Sequence, residues 1–66
     1  MKEIMDGYII YDKNYKLFRL SDGNCVDSIL EAEIWKYKED IENTIKNFDE
    51  PENYEIWKIE KIIRTI

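Results

Sequence analysis

The sequence predicts a small domain of the α+β class, and three stretches carry that prediction. Residues 8–20 (YIIYDKNYKLFRL) and 54–66 (YEIWKIEKIIRTI) are rich in β-branched and aromatic residues, which favour strands. Between them, residues 29–48 contain apolar residues at helical spacing. A chain of 66 residues is close to the lower limit for independent folding, so we expect one domain over residues 1–66.

The first element is predicted to be a β-hairpin. Gly7 marks the start of its first strand, and the turn falls at Lys13-Asn14, because Asn tolerates a positive φ angle. A two-residue loop at that turn gives two cross-strand pairs: Ile10 with Leu17, and Ile9 with Phe18. Both faces of the hairpin then carry apolar side chains, so we expect more than one surface of the sheet to be covered.

A second turn follows at residues 21–24 (Ser-Asp-Gly-Asn), where Asp-Gly is the strongest turn signal in the chain. The only cysteine, Cys25, comes directly after it. The chain has no histidine, and no base near Cys25 in the sequence could activate its thiol. We therefore expect Cys25 to be a small, half-buried structural side chain.

Residues 29–48 (ILEAEIWKYKEDIENTIKNF) allow two interpretations. One is a single long helix capped by Ser28 and Glu31, with an apolar stripe through Leu30, Ile34, Tyr37, Ile41, Ile45 and Phe48. The other is an extended stretch at residues 33–36 followed by a helix from Tyr37 to Phe48. That helix would face Ile41, Ile45 and Phe48 inward, and Lys38, Glu39, Glu42 and Lys46 outward. Glu39 and Asp40 would fall in its first turn, where the helix dipole favours negative charge. Local patterns leave both open.

The last segment, from Tyr54 onward, is predicted to be a strand. Ile56, Ile59, Ile63 and Ile66 also fit helical spacing, but five isoleucines with Tyr, Trp and Thr favour a pleated surface. The alternation of apolar and polar residues slips at Ile56-Trp57, which indicates a β-bulge.

The order of these elements is similar to that of a known group. The matching residues are Gly7-Tyr8-Ile9-Ile10-Tyr11, Ser28-Ile29 with Ala32, Ile34-Trp35, Lys38-Glu39-Asp40-Ile41-Glu42 with Ile45, and Tyr54-Glu55-Ile56-Trp57-Lys58-Ile59-Glu60. In this pattern the chain resembles small uncharacterised α+β proteins encoded by phages and mobile elements of low-GC bacteria. It departs from them at Tyr37, where a Ser or Thr helix cap is usual, at Ile41, which replaces a smaller residue, and in its longer tail, 61–66.

The resemblance implies a small antiparallel sheet with one helix packed across it. The strands of that sheet are the N-terminal hairpin, a short middle strand and a C-terminal strand. The resemblance therefore favours the strand-then-helix interpretation of residues 29–48. It also implies a phage-type protein that acts on a host.

Composition excludes several functions. The net charge of −5 has the wrong sign for a sequence-independent nucleic-acid binder, which must neutralise phosphates. Without histidine the chain lacks the commonest general base and the usual zinc ligands, and residues 22–31 match a calcium loop poorly. We expect no catalysis, cofactor or metal site. No signal peptide or membrane-length apolar run occurs, so we expect a cytoplasmic protein.

The leading hypothesis is an acidic protein that binds, and can inhibit, a host protein such as a nuclease or an anti-phage defence complex. An acidic face could occupy the basic cleft of a nucleic-acid-binding enzyme. The predicted partner-binding residues are Glu33, Trp35, Glu39, Asp40, Glu42, Asp49, Glu50 and Glu52. Trp35 and Trp57 are otherwise expected in the core.

Two alternatives remain at this stage. One is a regulatory nucleic-acid-binding module that uses Lys16, Arg19, Lys58 and Arg64. The other is a structural subunit that forms homodimers or larger assemblies through its edge strands.

Overall fold

A long strand pair forms the centre of the computed structural model, which describes the backbone of residues 2–64 and the side chains of residues 6–60. Strands β1 (Lys2–Asp12), β2 (Leu17–Arg19), β3 (Cys25–Val26) and β4 (Tyr54–Arg64) form an antiparallel sheet in the order β3-β2-β1-β4. One α-helix, α1 (Lys38–Lys46), and two single turns of 3-10 helix, Ile29–Glu31 and Pro51–Asn53, complete the described part. The predicted α+β class is confirmed.

β1 and β4 pair without interruption from Lys2 opposite Arg64 to Asp12 opposite Tyr54. The first strand thus begins before Gly7, where the sequence had placed its start. The predicted β-bulge at Ile56-Trp57 is wrong, because both residues take ordinary places in the ladder. Neighbouring residues of a strand point to opposite faces, so two adjacent apolar residues need no bulge when both faces are covered. The tail residues Thr65 and Ile66 lie outside the described part.

The β1–β2 loop is longer than predicted, because it contains residues 13–16 rather than Lys13-Asn14 alone. The pairs are Ile10 with Arg19, Tyr11 with Phe18, and Asp12 with Leu17, so the predicted pairs Ile10–Leu17 and Ile9–Phe18 are wrong. The buried Asp12 explains the longer loop, since its carboxylate accepts bonds from the backbone N–H groups of Asn14 (2.9 Å) and Tyr15 (3.3 Å). Lys16 closes the loop at a φ of 57°. The register differs by two residues, so every side chain keeps its predicted face.

The β2–β3 connection is the predicted turn at residues 21–24. Leu20 N–H donates to the carbonyl of Asn24 (2.8 Å), and Gly23 has a φ of 94°, which glycine adopts without strain. The Asp22 carboxylate accepts the N–H of Asn24 (3.0 Å). The turn prediction is confirmed, and the strand that follows it, β3, was not predicted.

Both faces of the sheet are covered, as predicted, because the neighbouring residues Ile9 and Ile10 are both completely buried. Phe48, just after α1, packs edge-on against Tyr54 with ring centroids 4.9 Å apart. Tyr54 and Ile10 share one face of the sheet, so α1 covers the face of the even-numbered residues of β1 and β4. We name this the helix face.

The opposite face, with the odd-numbered residues, carries an aromatic cluster. The ring of Trp57 stacks on Tyr11 (centroids 4.4 Å apart) and meets Phe18 edge-on (5.6 Å). Such pairs each add about 0.5–1.5 kcal/mol beyond the burial of their surface. Trp57 nevertheless remains 37% exposed, so the prediction that it lies in the core holds only in part.

Residues 29–48 form an extended stretch followed by a helix, which confirms the second interpretation. The predicted middle strand reduces to one bridge, in which Trp35 and Tyr8 exchange two backbone hydrogen bonds of 2.8 Å. α1 begins after Tyr37, which makes no side-chain cap bond, while Ser28 caps the preceding 3-10 turn through Leu30 N–H (3.2 Å). Ile41 faces inward and is completely buried.

The predicted inward and outward sides of α1 are confirmed. Ile45 and Phe48 are half-buried beside the core, and the side chains predicted to face outward are exposed: Lys38, Glu39, Glu42 and Lys46. Leu30 and Ile34, which belonged to the long-helix stripe, are exposed instead.

Gly7 allows the Ile34-Trp35 segment to approach β1. A Cβ at Gly7 would lie 2.3 Å from Cγ2 of Ile34 and 3.4 Å from the carbonyl oxygen of Trp35. We expect Gly7→Ala to lower the free energy of unfolding by about 1–2 kcal/mol through this clash. In an Ile34→Ala background the clash is absent, so the loss should vanish or reverse. Alanine then stabilises the fold relative to glycine because it reduces the conformational entropy of the unfolded chain. Urea denaturation of the natural chain, the two single variants and the double variant tests this. An equal loss of stability from Gly7→Ala in both backgrounds would contradict it.

Candidate functional site

The negative charge of the protein is concentrated in residues 38–55, which we name the acidic segment. It contains seven carboxylates and two lysines, a net charge of −5 that equals the net charge of the entire chain. All seven carboxylate residues are exposed: Glu39, Asp40, Glu42, Asp49, Glu50, Glu52 and Glu55. The charges of the remaining residues of the chain sum to zero, so the net charge of the protein arises in this one segment.

α1 holds the first three of these carboxylates on a rigid element. Glu39 and Asp40 lie in its first turn, where they stabilise the helix dipole. Glu42 forms a salt bridge of 3.9 Å with Lys38, and both side chains are more than half exposed (51% and 64%). Such exposed pairs contribute little, so the negative charge of α1 remains available to a partner.

The other carboxylates follow the end of α1. The helix stops at Asn47, and Pro51 starts a single turn of 3-10 helix that leads into β4. Glu50 accepts a hydrogen bond from the side-chain amide of Asn53, which orders the segment. Asp49 and Glu52 make no hydrogen bond or ion pair with the part of the chain that the structure describes.

Six of the eight predicted partner-binding residues belong to the acidic segment and are exposed, and the other two, Glu33 and Trp35, are half-buried elsewhere. Glu33 is half-buried, and its carboxylate accepts the backbone N–H (3.0 Å) and the hydroxyl (2.9 Å) of Ser21. Trp35 is half-buried and holds its segment to Tyr8. Glu33 thus attaches residues 33–36 to the β2–β3 turn and Trp35 attaches them to β1, so neither residue belongs to the candidate surface.

Arg19 is the residue whose role the sequence least indicated. Its guanidinium carbon lies 4.2 Å from the centroid of the Phe48 ring, and Nη1 donates to the hydroxyl of Tyr54 at 2.7 Å. Its Nε is buried without a hydrogen-bond partner in the described residues. Arg19 therefore joins the chain just after α1 to the helix face of the sheet. Its contacts with the Phe48 and Tyr54 rings explain why an arginine occupies this half-buried position at the end of β2.

This arrangement weakens the predicted nucleic-acid-binding set. With Arg19 half-buried against Phe48 and Tyr54, the set retains Lys16 in the β1–β2 loop and Lys58 on β4, both exposed. The side chain of Arg64 lies outside the described residues.

An exposed apolar patch is the feature that sequence analysis missed. Ile29, Leu30 and Ile34 are 47%, 89% and 46% exposed, and with Ile59 they line a shallow cavity of about 150 Å³ that Glu60 borders. We name these four isoleucine and leucine residues the apolar patch. In the long-helix interpretation Leu30 and Ile34 belonged to a stripe that would be buried. The helix begins only at Lys38, so these two residues remain exposed beside Ile29 and Ile59.

The remaining chemistry of the described residues is sparse. Cys25 is exposed, so the prediction of a half-buried thiol is wrong; the short β3 lies at the edge of the sheet and leaves it uncovered. Among the residues whose positions are described, no three His, Cys, Asp or Glu side chains come together in a way that could hold a metal ion. No helix in the same part of the chain has the length and apolar character needed to cross a membrane.

Comparison with known proteins identifies no relative, since no family model, curated protein or solved structure matches this chain.

Proposed function

We propose that this chain is a non-enzymatic protein-binding module whose acidic segment docks on a basic surface of a partner protein. The observation that supports it most is the concentration of the entire net charge, −5, in residues 38–55 with every carboxylate exposed. Exposed charges of one sign steer a complementary partner and raise its association rate. The helix contributes rigidity, which lowers the entropy lost on binding.

The partner class follows from the same charges. A protein that handles nucleic acid carries lysine and arginine in a cleft shaped for phosphates, and carboxylates on a small rigid scaffold can occupy that cleft. The module would thereby compete with the nucleic acid and inhibit the enzyme. The resemblance to phage and mobile-element proteins extends this proposal to a host target, such as a nuclease or an anti-phage defence complex.

Charge reversal of α1 tests the proposal. The triple variant Glu39→Lys, Asp40→Lys, Glu42→Lys should lose partner capture from a host lysate by at least about tenfold, while its circular dichroism spectrum stays unchanged. The control reverses three exposed acids outside the acidic segment, Asp6, Asp27 and Glu31, and reaches the same net charge. Capture is measured by mass spectrometry, and the captured protein should be displaced by added duplex DNA and by salt.

Two results would contradict the proposed surface. Equal loss in both triple variants would show that net charge alone matters. Capture that survives reversal in α1 would show that the partner binds elsewhere.

A further inference from the structure

β4 forms an open edge of the sheet along its whole length. The strand order β3-β2-β1-β4 leaves one side of β4 without a neighbouring strand among the residues that the structure describes. Its eleven residues, Tyr54–Arg64, contain neither a proline nor a bulge, which are common ways of protecting an edge. A long regular edge strand is a template for pairing with another strand.

The backbone groups that face outward can be identified from Tyr8. Tyr8 uses its N–H and C=O to pair with Trp35, so these groups point away from β4. In an antiparallel ladder the opposite residue, Lys58, then also points its N–H and C=O away from β1. Lys13 N–H donates to the Asn53 carbonyl (2.9 Å), which indicates that the odd-numbered residues of β1 and β4 hydrogen-bond to each other. The even-numbered residues of β4 therefore point their backbone groups outward.

By this alternation, Ile56, Lys58 and Glu60 present free backbone donors and acceptors along the edge. No backbone bond from any other described residue reaches them. We propose that β4 pairs antiparallel with β4 of a second copy of this chain, with Ile59 of each copy facing the other on a two-fold axis. This interface shares only Tyr54 and Glu55 with the acidic segment, and it goes beyond the proposed function.

The length of β4 supports this register. Ile59 is the central residue of Tyr54–Arg64, so a two-fold axis at Ile59 overlaps the whole strand with its copy. Any other register leaves outward-facing backbone groups without a partner, and unmade hydrogen bonds weaken an interface. The sheet would extend to eight strands across the two copies.

The charges of β4 select the same register. With Ile59 on the axis, Lys58 of each copy lies opposite Glu60 of the other, which makes two oppositely charged pairs. A shift by one pair in either direction would set Lys58 or Glu60 opposite its own copy. Like charges directly opposite each other destabilise a sheet. These residues therefore favour the centred register over the two registers shifted by one pair.

The second copy would also relieve a repulsion within the monomer. Asp6 lies directly opposite Glu60, and among the described side chains the one salt bridge, Lys38–Glu42, is elsewhere. An open cavity of about 430 Å³ is lined by Asp6, Lys58, Ile59 and Glu60. Lys58 of the second copy would enter beside this pair of carboxylates.

The apolar patch lies beside the proposed axis. Gly7 is opposite Ile59 in the ladder, and Ile34 packs over Gly7 on the same face of the sheet. Ile29, Leu30 and Ile34 share their cavity with Ile59. Two copies related at Ile59 would bring their patches toward each other and remove exposed apolar surface from water.

Analytical ultracentrifugation over a range of concentrations tests the dimer. The natural chain should change from monomer to dimer as concentration rises. Lys58→Glu and Glu60→Lys should each weaken the dimer by about tenfold, because each replaces two attractive pairs with two repulsive ones. The double variant, Lys58→Glu with Glu60→Lys, should restore it, since the opposite charges are then exchanged.

Measuring the stability of the monomer distinguishes loss of the dimer interface from a failure of the chain to fold. Glu60→Lys should raise the monomer's melting temperature, because it replaces the Asp6–Glu60 repulsion with an attraction, while the dimer weakens. Lys58→Pro should abolish the dimer and leave the monomer folded, because the Lys58 N–H faces outward. Hydrogen exchange should show the amides of Ile56, Lys58 and Glu60 protected only at dimer-forming concentrations.

A natural chain that stays monomeric up to its solubility limit would overturn the proposal. So would a dimer that Lys58→Pro and both charge variants leave unchanged, since its interface would lie elsewhere. The α1 triple variant should dimerise normally, so loss of partner capture and loss of the dimer are distinguishable.

Discussion

Replacing Ile41 by alanine is expected to lower the free energy of unfolding by about 2–4 kcal/mol. Ile41 is completely buried and is the innermost residue of α1. A nine-residue helix is too short to be stable in water by itself, so packing of this face holds it in place. A domain of this size rarely has more than roughly 3–5 kcal/mol in total, and the variant should be largely unfolded near body temperature.

Leu30→Ala is the matched control for Ile41→Ala. Leu30 is 89% exposed, so removing its side chain should change the unfolding free energy by less than about 0.5 kcal/mol. Urea denaturation followed by circular dichroism, at concentrations where the chain is monomeric, measures both. Similar losses in the two variants would contradict the placement of α1 on the helix face.

Arg19→Ala is expected to cost about 2–3 kcal/mol of stability, although an arginine on a strand of a small acidic protein could be taken for a surface residue. The substitution removes the guanidinium from the Phe48 ring at 4.2 Å and the 2.7 Å hydrogen bond to Tyr54. Arg19→Lys should recover little of the loss, because an ammonium group cannot stack as a plane while donating sideways to Tyr54.

Lys13→Ala provides the control for Arg19→Ala. Lys13 is exposed in the β1–β2 loop, and among the described residues its backbone N–H bonds to Asn53 while its side chain makes no hydrogen bond or ion pair. Thermal unfolding should place this variant close to the natural chain and Arg19→Ala well below it. If Arg19 instead served a nucleic-acid-binding surface, its removal would leave the melting temperature unchanged.

The two turns show which parts of this fold the local sequence can predict. Asp-Gly at residues 22–23 gave the correct turn, because glycine supplies the positive φ by itself. Lys13-Asn14 did not, because the loop depends on the side chain of Asp12, which bonds to two amides further along. The helix start is a weaker case: α1 begins after Tyr37 without a side-chain cap, so the acidic pair Glu39-Asp40 in its first turn is the local signal that marks it.

What the sequence by itself determined is the class of the fold, the position of its strand-rich ends, the two sides of α1, and the concentration of charge in residues 38–55. These follow from periodicity and composition, which act over a few neighbouring residues. The tertiary structure alone decided that Arg19 lies between Phe48 and Tyr54, that Ile29, Leu30 and Ile34 stay exposed beside Ile59, and that β4 forms the long edge of the sheet. Those features arise from contacts between residues far apart in the chain, and which strand is left without a neighbour depends on the order of the whole sheet.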